Sequence, residues 1–248
     1  MPDLKIIWSG KILLEDVVWK LSSEKEYFLS TELEKQRSKI WKKIVSKYPE
    51  TYDGMVIILD DFHHRNEQMV LDIGFMRFSR ILTLNEVKQR PPGYGSLGMQ
   101  AIIFSPDRTN VLAGLRAEGS SYCPLFHAVP GGILEISDVE RSFELACMRE
   151  IDEEVQVALE TEKHLVGLLS ELHGSVGVVA LISGTVSKTP ILNENVHGNE
   201  EWAERRLSWY SVEELERIKF ENSLEGLLFV KNDREKFEKT GNSIFWNE

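Results

Sequence analysis

Apolar residues recur along the chain at two spacings. Leu33, Ile40, Trp41, Ile44, Val45 and Tyr48 follow three- and four-residue steps, which predicts one long helix stopped by Pro49. Residues 55–59 and 69–78 are dense in Val, Ile, Leu, Met and Phe and read as strands, with 60–68 as a polar, charged turn between them. Further strands are expected at 99–104, 111–115, 126–129, 165–169 and 176–182, the last nearly all apolar and therefore central. A helix is expected over 143–157, and Ser211-Val212-Glu213-Glu214 fits a capping box that starts another. Pro91, Pro92, Gly93, Gly95 and Gly98 crowd into 90–98 and mark the best boundary. The expected organisation is an N-terminal α+β accessory domain over 1–90 and a second domain over 96–248. The class is mixed α/β rather than repeated βαβ units.

Composition narrows the partners. The 248 residues are 42% hydrophobic and 28% charged, as in an ordinary globular protein. A net charge of −11 argues against a nucleic-acid polymer, whose phosphates must be neutralised by Lys and Arg. A small phosphorylated substrate stays compatible if metal ions supply the positive charge. Two cysteines, Cys123 and Cys147, cannot build a four-thiolate site and suit a reducing compartment. Charges at Asp3, Lys5, Lys11, Glu15 and Asp16 interrupt the start, and no apolar run nears the ~20 residues that cross a bilayer. A soluble, cytoplasmic protein with no membrane partner is expected.

The candidate chemistry lies in Gly131-Gly132-Ile-Leu-Glu135-Ile-Ser-Asp138 and, further on, Arg149-Glu150-Ile151-Asp152-Glu153-Glu154. Ser142 is the expected N-cap, with Glu144 in the first turn. At ~100° per residue, Glu150, Glu153 and Glu154 share about a third of the helix circumference, with the small Ala146 on the same face. Leu145, Met148, Ile151 and Val155 are left to pack on a sheet. Three carboxylates on one face repel, unless a hard cation with oxygen ligands occupies it. The two glycines allow a tight turn and a close backbone approach to a ligand.

Other features read more plainly. His63 and His64 beside Asp60 and Asp61 suit a solvated turn better than a metal site, and Cys123 with His127 makes only two ligands. Trp8, Trp19, Trp41 and Phe28 read as core rather than a base-stacking platform. Lys35, Arg37, Lys39, Lys42, Lys43 and Lys47 read as the solvated face of the long helix. Cys147 is expected to be packed.

At the motif residues the chain resembles the Nudix hydrolase family. The family pattern is Gly, five residues, Glu, seven residues, then Arg-Glu-apolar-any-Glu-Glu-any-Gly-apolar. Gly132, Arg149, Glu150, Ile151, Glu153, Glu154 and Val157 match it, and Glu135 resembles the acidic residue common after the glycines. The resemblance spans roughly residues 96–215. Two departures stand out: the loop is about three residues longer, with Asp138 or Glu140 replacing a glutamate, and Gln156 replaces the last glycine. The resemblance implies a mixed sheet between helices, with Mg²⁺ or Mn²⁺ on Glu150, Glu153 and Glu154 and Arg149 orienting those glutamates. Gly131, Gly132, Glu135 and Asp138 would form the substrate loop. The implied activity is hydrolysis of the diphosphate linkage in a nucleoside diphosphate derivative. The general base stays open between a motif glutamate and Glu171, Glu194, Glu200 or Glu201. Family members often dimerise, so a homodimer is compatible. Trp41 followed by Pro49-Glu-Thr-Tyr52-Asp53-Gly54 is similar to the segment preceding the Nudix fold in UDP-glucose pyrophosphatase-type members, which points to UDP-sugars, with ADP-ribose as the other candidate. The alternative function is a Nudix-like sensor that binds a nucleotide without cutting it.

Overall fold

The computed structural model describes residues 4–47, 49, 51–117, 127–160, 162–171, 177–187, 196–198, 202–211 and 214. Strands β1 (Leu4–Leu13) and β2 (Val17–Glu26) are joined by a 3-10 turn at Leu14–Asp16 and followed by helix α1 (Thr31–Lys47). The hairpin β3 (Met55–Arg65) and β4 (Gln68–Arg77) runs into helix α2 (Phe78–Glu86). Then come β5 (Gly95–Phe104), β6 (Asn110–Arg116), β7 (His127–Ala128) and β8 (Gly131–Ile133). A 3-10 turn at Ile136–Glu140 leads to helix α3 (Phe143–Glu154). Strands β9 (His164–Glu171), β10 (Val178–Thr185), β11 (Val196–His197) and β12 (Trp202–Ser211) complete the described chain.

The architecture is mixed α/β, built on a large mixed sheet whose main path runs β1-β9-β10-β5-β3-β4-β2. The β10–β5 and β2–β4 pairs are parallel, and the other pairs are antiparallel. Strand β10 is central, as its apolar sequence requires: residues 178–184 are buried on both faces between β9 and β5.

The first ninety residues contribute to the same sheet and the same core as the rest. β1 pairs with β9, and β3 reaches β5 through Ile58↔Ser96 and Leu59↔Gly95. One buried cluster joins Ile12, Leu14 and Leu71 to Leu97, Phe143, Ile151 and Ile182. Among the described residues, no helix is long and apolar enough to cross a membrane, which says nothing of a β-barrel.

Several sequence expectations change. Residues 60–68 are not a turn: β3 continues to Arg65, and the reversal is confined to Asn66 and Glu67, with Asn66 at φ 55°. The outer half of this hairpin faces water, so its polar residues still pair in register with β4. Helix α2 was not anticipated, although Phe78, Ile81 and Leu82 follow a helical step. On α1, Leu33, Ile40, Trp41, Ile44 and Val45 are only partly buried, and Tyr48 lies outside the described residues. Trp8 and Trp19 pack against the main core as expected, though only partly buried, and Trp41 is likewise partly buried. Phe28 is 66% exposed, its ring covered by the Arg80 guanidinium at 4.4 Å.

Charge explains part of the α1 packing. Arg80 is buried and held by Glu26 at 2.7 Å, Glu34 at 2.6 Å and the Tyr27 carbonyl at 3.1 Å. Arg37 turns inward from the basic face to Glu34 and the Ser79 hydroxyl. At Ser211 both arms of the capping box form, at 2.8 and 3.1 Å, while the helix expected beyond lies outside the described residues.

Candidate active site

Helix α3 starts where its sequence signals it: the Ser142 hydroxyl accepts the Leu145 N–H at 3.2 Å. Lys163 pairs with Glu144 in the first turn at 3.0 Å. Strand β2 braces the same end. The Trp19 indole N–H donates to the Arg141 carbonyl at 2.8 Å, and its ring meets Phe143 edge-on at 5.0 Å. That hydrogen bond links residues 122 apart in sequence, so no local pattern could have shown it.

The buried face of α3 differs from the sequence expectation. It comprises Phe143, Ala146, Cys147, Glu150, Ile151 and Glu154, while Leu145 is 56% exposed and Met148 only partly buried. Ile151 and Val155 are buried as expected. Glu150 and Glu154 therefore point inward among apolar residues, and Glu153 points outward. The tight turn expected at the two glycines does not form: both run in strand β8 without positive φ, and it is their missing side chains that leave room for the carboxylates. A Cβ on Gly132 would lie 2.1 Å from Glu150 Oε2, so a side chain there would displace that carboxylate. The neighbouring Gly131 N–H donates to Glu154 Oε2 at 2.8 Å. Strand β8 holds both glycines in place through Met99↔Gly132 and Gln100↔Gly131.

Arg149 is the hub. Its Nε and Nη2 donate to the two oxygens of Asp138 at 2.8 and 2.7 Å, its Nη1 to Glu153 at 2.8 Å, and Nη2 also to Glu150 Oε1. Asp138 is 1% exposed and exchanges hydrogen bonds with Glu135, each side chain accepting the other's N–H. Of the two stand-ins for the motif glutamate, Asp138 makes the arginine contact, and Glu140 is exposed. Helix α3 ends at Glu154, and Val155 leaves it extended at φ −146° and ψ 136°. No left-handed residue is used there, so Gln156 meets no backbone demand for glycine.

Burial pushes the Glu150 carboxyl up to about 7, against the pull of Arg149 and with Glu153 and Asp138 adding to the rise. Burial also raises Glu135, opposed by Arg149. Cys147 is inert: its thiol is buried and pushed well up. Among the described residues, no three His, Cys, Asp or Glu side chains form a ready metal-ligating group. The physical reason is Arg149, which draws Glu153 outward and holds one oxygen of Glu150. The donor set nevertheless fits a hard divalent cation. It is all oxygen, and Glu150 and Glu154 are buried carboxylates one helical turn apart.

A consequence can be checked without metal. Glu150 takes up a proton more readily folded than unfolded, so its ionisation costs stability between pH ~4.5 and ~7. In EDTA, Glu150→Gln is expected to be more stable than wild type by up to about 3 kcal/mol at pH 8, with the gap closing towards pH 4.5. Urea melts at pH 5 and pH 8 test this, and a gap independent of pH would refute it.

Among the described residues, His63 and His64 do not join this cluster. His63 Nε2 lies 3.1 Å from Asp72 and 3.7 Å from Asp61, and His64 meets the edge of Trp8. Cys123, Glu194, Glu200, Glu201 and the side chains of His127 and Glu171 lie outside the described residues.

No protein-family model matches the chain, and no curated protein matches it. Among solved structures it is similar to the MutT protein from Methanosarcina mazei Go1, at 20% identity and a TM-score of 0.42, covering 57% of this chain and 94% of that one. It is also similar to a NUDIX hydrolase from Nitrosomonas europaea, at 17% identity and a TM-score of 0.41, covering 60% and 90%. A third is a bifunctional NMN adenylyltransferase/ADP ribose pyrophosphatase from Francisella tularensis, at 14% identity and a TM-score of 0.39, covering 57% and 42%. These similarities are remote, and the reading of the site rests on the chain's own residues.

Proposed function

We propose that this protein is a divalent-metal-dependent pyrophosphohydrolase of the Nudix type, acting on a nucleoside diphosphate derivative such as a UDP-sugar or ADP-ribose. The observation that carries this reading is the pair of inward carboxylates beside the Gly131-Gly132 strand: Glu150, held by Arg149, which Asp138 anchors in turn, and Glu154, which accepts the Gly131 N–H.

Glu150, Glu153 and Glu154 would hold Mg²⁺ or Mn²⁺. When bound, the cation neutralises diphosphate oxygens and lowers the pKa of a water. The chain's own residues do the positioning. Arg149 holds Glu150 and Glu153 apart. The bare glycine backbone of β8 would let the phosphates approach, and Glu135 and Asp138 fix the loop that follows it. The first ninety residues act as an accessory unit that braces the start of α3 through Trp19.

The test is release of phosphate or nucleotide from UDP-sugars, ADP-ribose, dinucleoside polyphosphates and CoA, with Mg²⁺ and then with EDTA. Release from one class that EDTA abolishes is the expected result. No release from any compound, with one of them still raising Tm, would replace this reading with that of a nucleotide sensor.

A further inference from the structure

Tyr52 leaves an aromatic ring in water at the border of the carboxylate cluster. The residue is 72% exposed, yet the segment that carries it is tied down. The Asp53 carboxylate accepts the Ser79 N–H at 2.8 Å and the Ser79 hydroxyl at 3.0 Å, and the Gly54 carbonyl accepts the Phe78 N–H at 2.9 Å. The ring leans back on Gly54, with Cε1 only 2.7 Å from the point a Cβ would occupy. Glu135 Oε1 approaches the same point to 3.0 Å, so any side chain at position 54 would disturb both. Glu135 in turn lies within the field of Arg149, Asp138 and Glu153.

A single exposed tyrosine is ordinary on a protein surface. This one differs in its anchored mount, in the bare glycine that receives its ring, and in its position beside the loop that bounds the phosphate site. The cluster itself is strongly acidic and offers little to the uncharged part of a nucleotide. A flat ring at its border offers contact area without charge, and any base can stack on it.

We propose that Tyr52 is a specificity-determining residue, stacking on the base of the nucleoside diphosphate whose phosphates lie over Gly131 and Gly132. The inference rests on the placement of the diphosphate given above. The backbone ties the ring's mount to the phosphate loop through the Val56↔Glu135 bridge and the Ile57 N–H to the Leu134 carbonyl at 3.0 Å.

The test compares binding of UDP, ADP and inorganic pyrophosphate in Mg²⁺ by calorimetry, with turnover followed separately. Wild type is expected to prefer the nucleotides to pyrophosphate. Tyr52→Ala should lose about tenfold in nucleotide affinity, with pyrophosphate binding unchanged. Tyr52→Phe should restore the preference, because it keeps the ring. On a hydrolysed substrate, KM should rise by a similar factor with kcat held. Unchanged nucleotide affinity in Tyr52→Ala would overturn the proposal, as would a wild type that binds pyrophosphate and nucleotides equally. A ring-dependent preference without turnover on any substrate would support Tyr52 while removing the hydrolase reading.

Discussion

Glu154→Gln is expected to lower metal-dependent hydrolysis of the best diphosphate substrate at least ~100-fold, the scale of losing an essential electrostatic group. The fold should survive. Glutamine matches glutamate in size, and its amide oxygen can still accept the Gly131 N–H that Glu154 takes at 2.8 Å. What is lost is the charge, on a residue only 5% exposed and facing the glycines of β8. Glu153→Gln should cost less, because its side chain is 58% exposed and its carboxylate answers first to Arg149. Steady-state kinetics beside a thermal melt separate the two effects. Near-normal turnover in Glu154→Gln would end the assignment of Glu154, and a fall in Tm matching the loss of rate would make its role structural.

The contrast between Glu154 and Glu153 shows where the sequence stopped being legible. Helical spacing alone placed all three glutamates on one face, and it placed Leu145 on the packing side. Spacing fixes which residues neighbour each other on a helix but not which arc is buried. The neighbours settle that: strand β8 presents two glycines, and the space they leave is filled by Glu150 and Glu154 rather than by a leucine. Elements whose own residues carry the signal were readable in advance. These include α1, described to Lys47, the start of α3 at Ser142, and the apolar central strand β10.

Elements whose logic is tertiary were not readable. The outer half of β3 is polar because it borders water, and only its partner β4 makes it a strand. Trp19 looked like core in a residue-by-residue reading, yet its N–H serves a carbonyl just before the motif helix. The choice between Asp138 and Glu140 depended on which carboxylate the longer loop turned inward, and a count of residues along the chain cannot show that.

Asp138→Ala should be among the most destabilising single substitutions in the site, at about 3 kcal/mol, the scale of breaking a buried ion pair from one side. Asp138 is 1% exposed, receives two hydrogen bonds from Arg149, and accepts the Glu135 N–H at 2.9 Å. Removing it strips Arg149 of its best-shielded partner and leaves the Glu135 amide without its acceptor. For a chain of this length the loss corresponds to a fall in Tm of roughly 6–12 °C. Activity should fall as well, since Arg149 would then be held only by Glu150 and Glu153, the carboxylates it is proposed to space apart. Asp138→Asn separates the contributions: it keeps the shape and one acceptor but removes the charge, so it should unfold later than Asp138→Ala while still disturbing Arg149. If Asp138→Ala melted within ~1 °C of wild type, the guanidinium would not depend on this aspartate, and the route from the glycine loop through Arg149 to the glutamates would have to be redrawn.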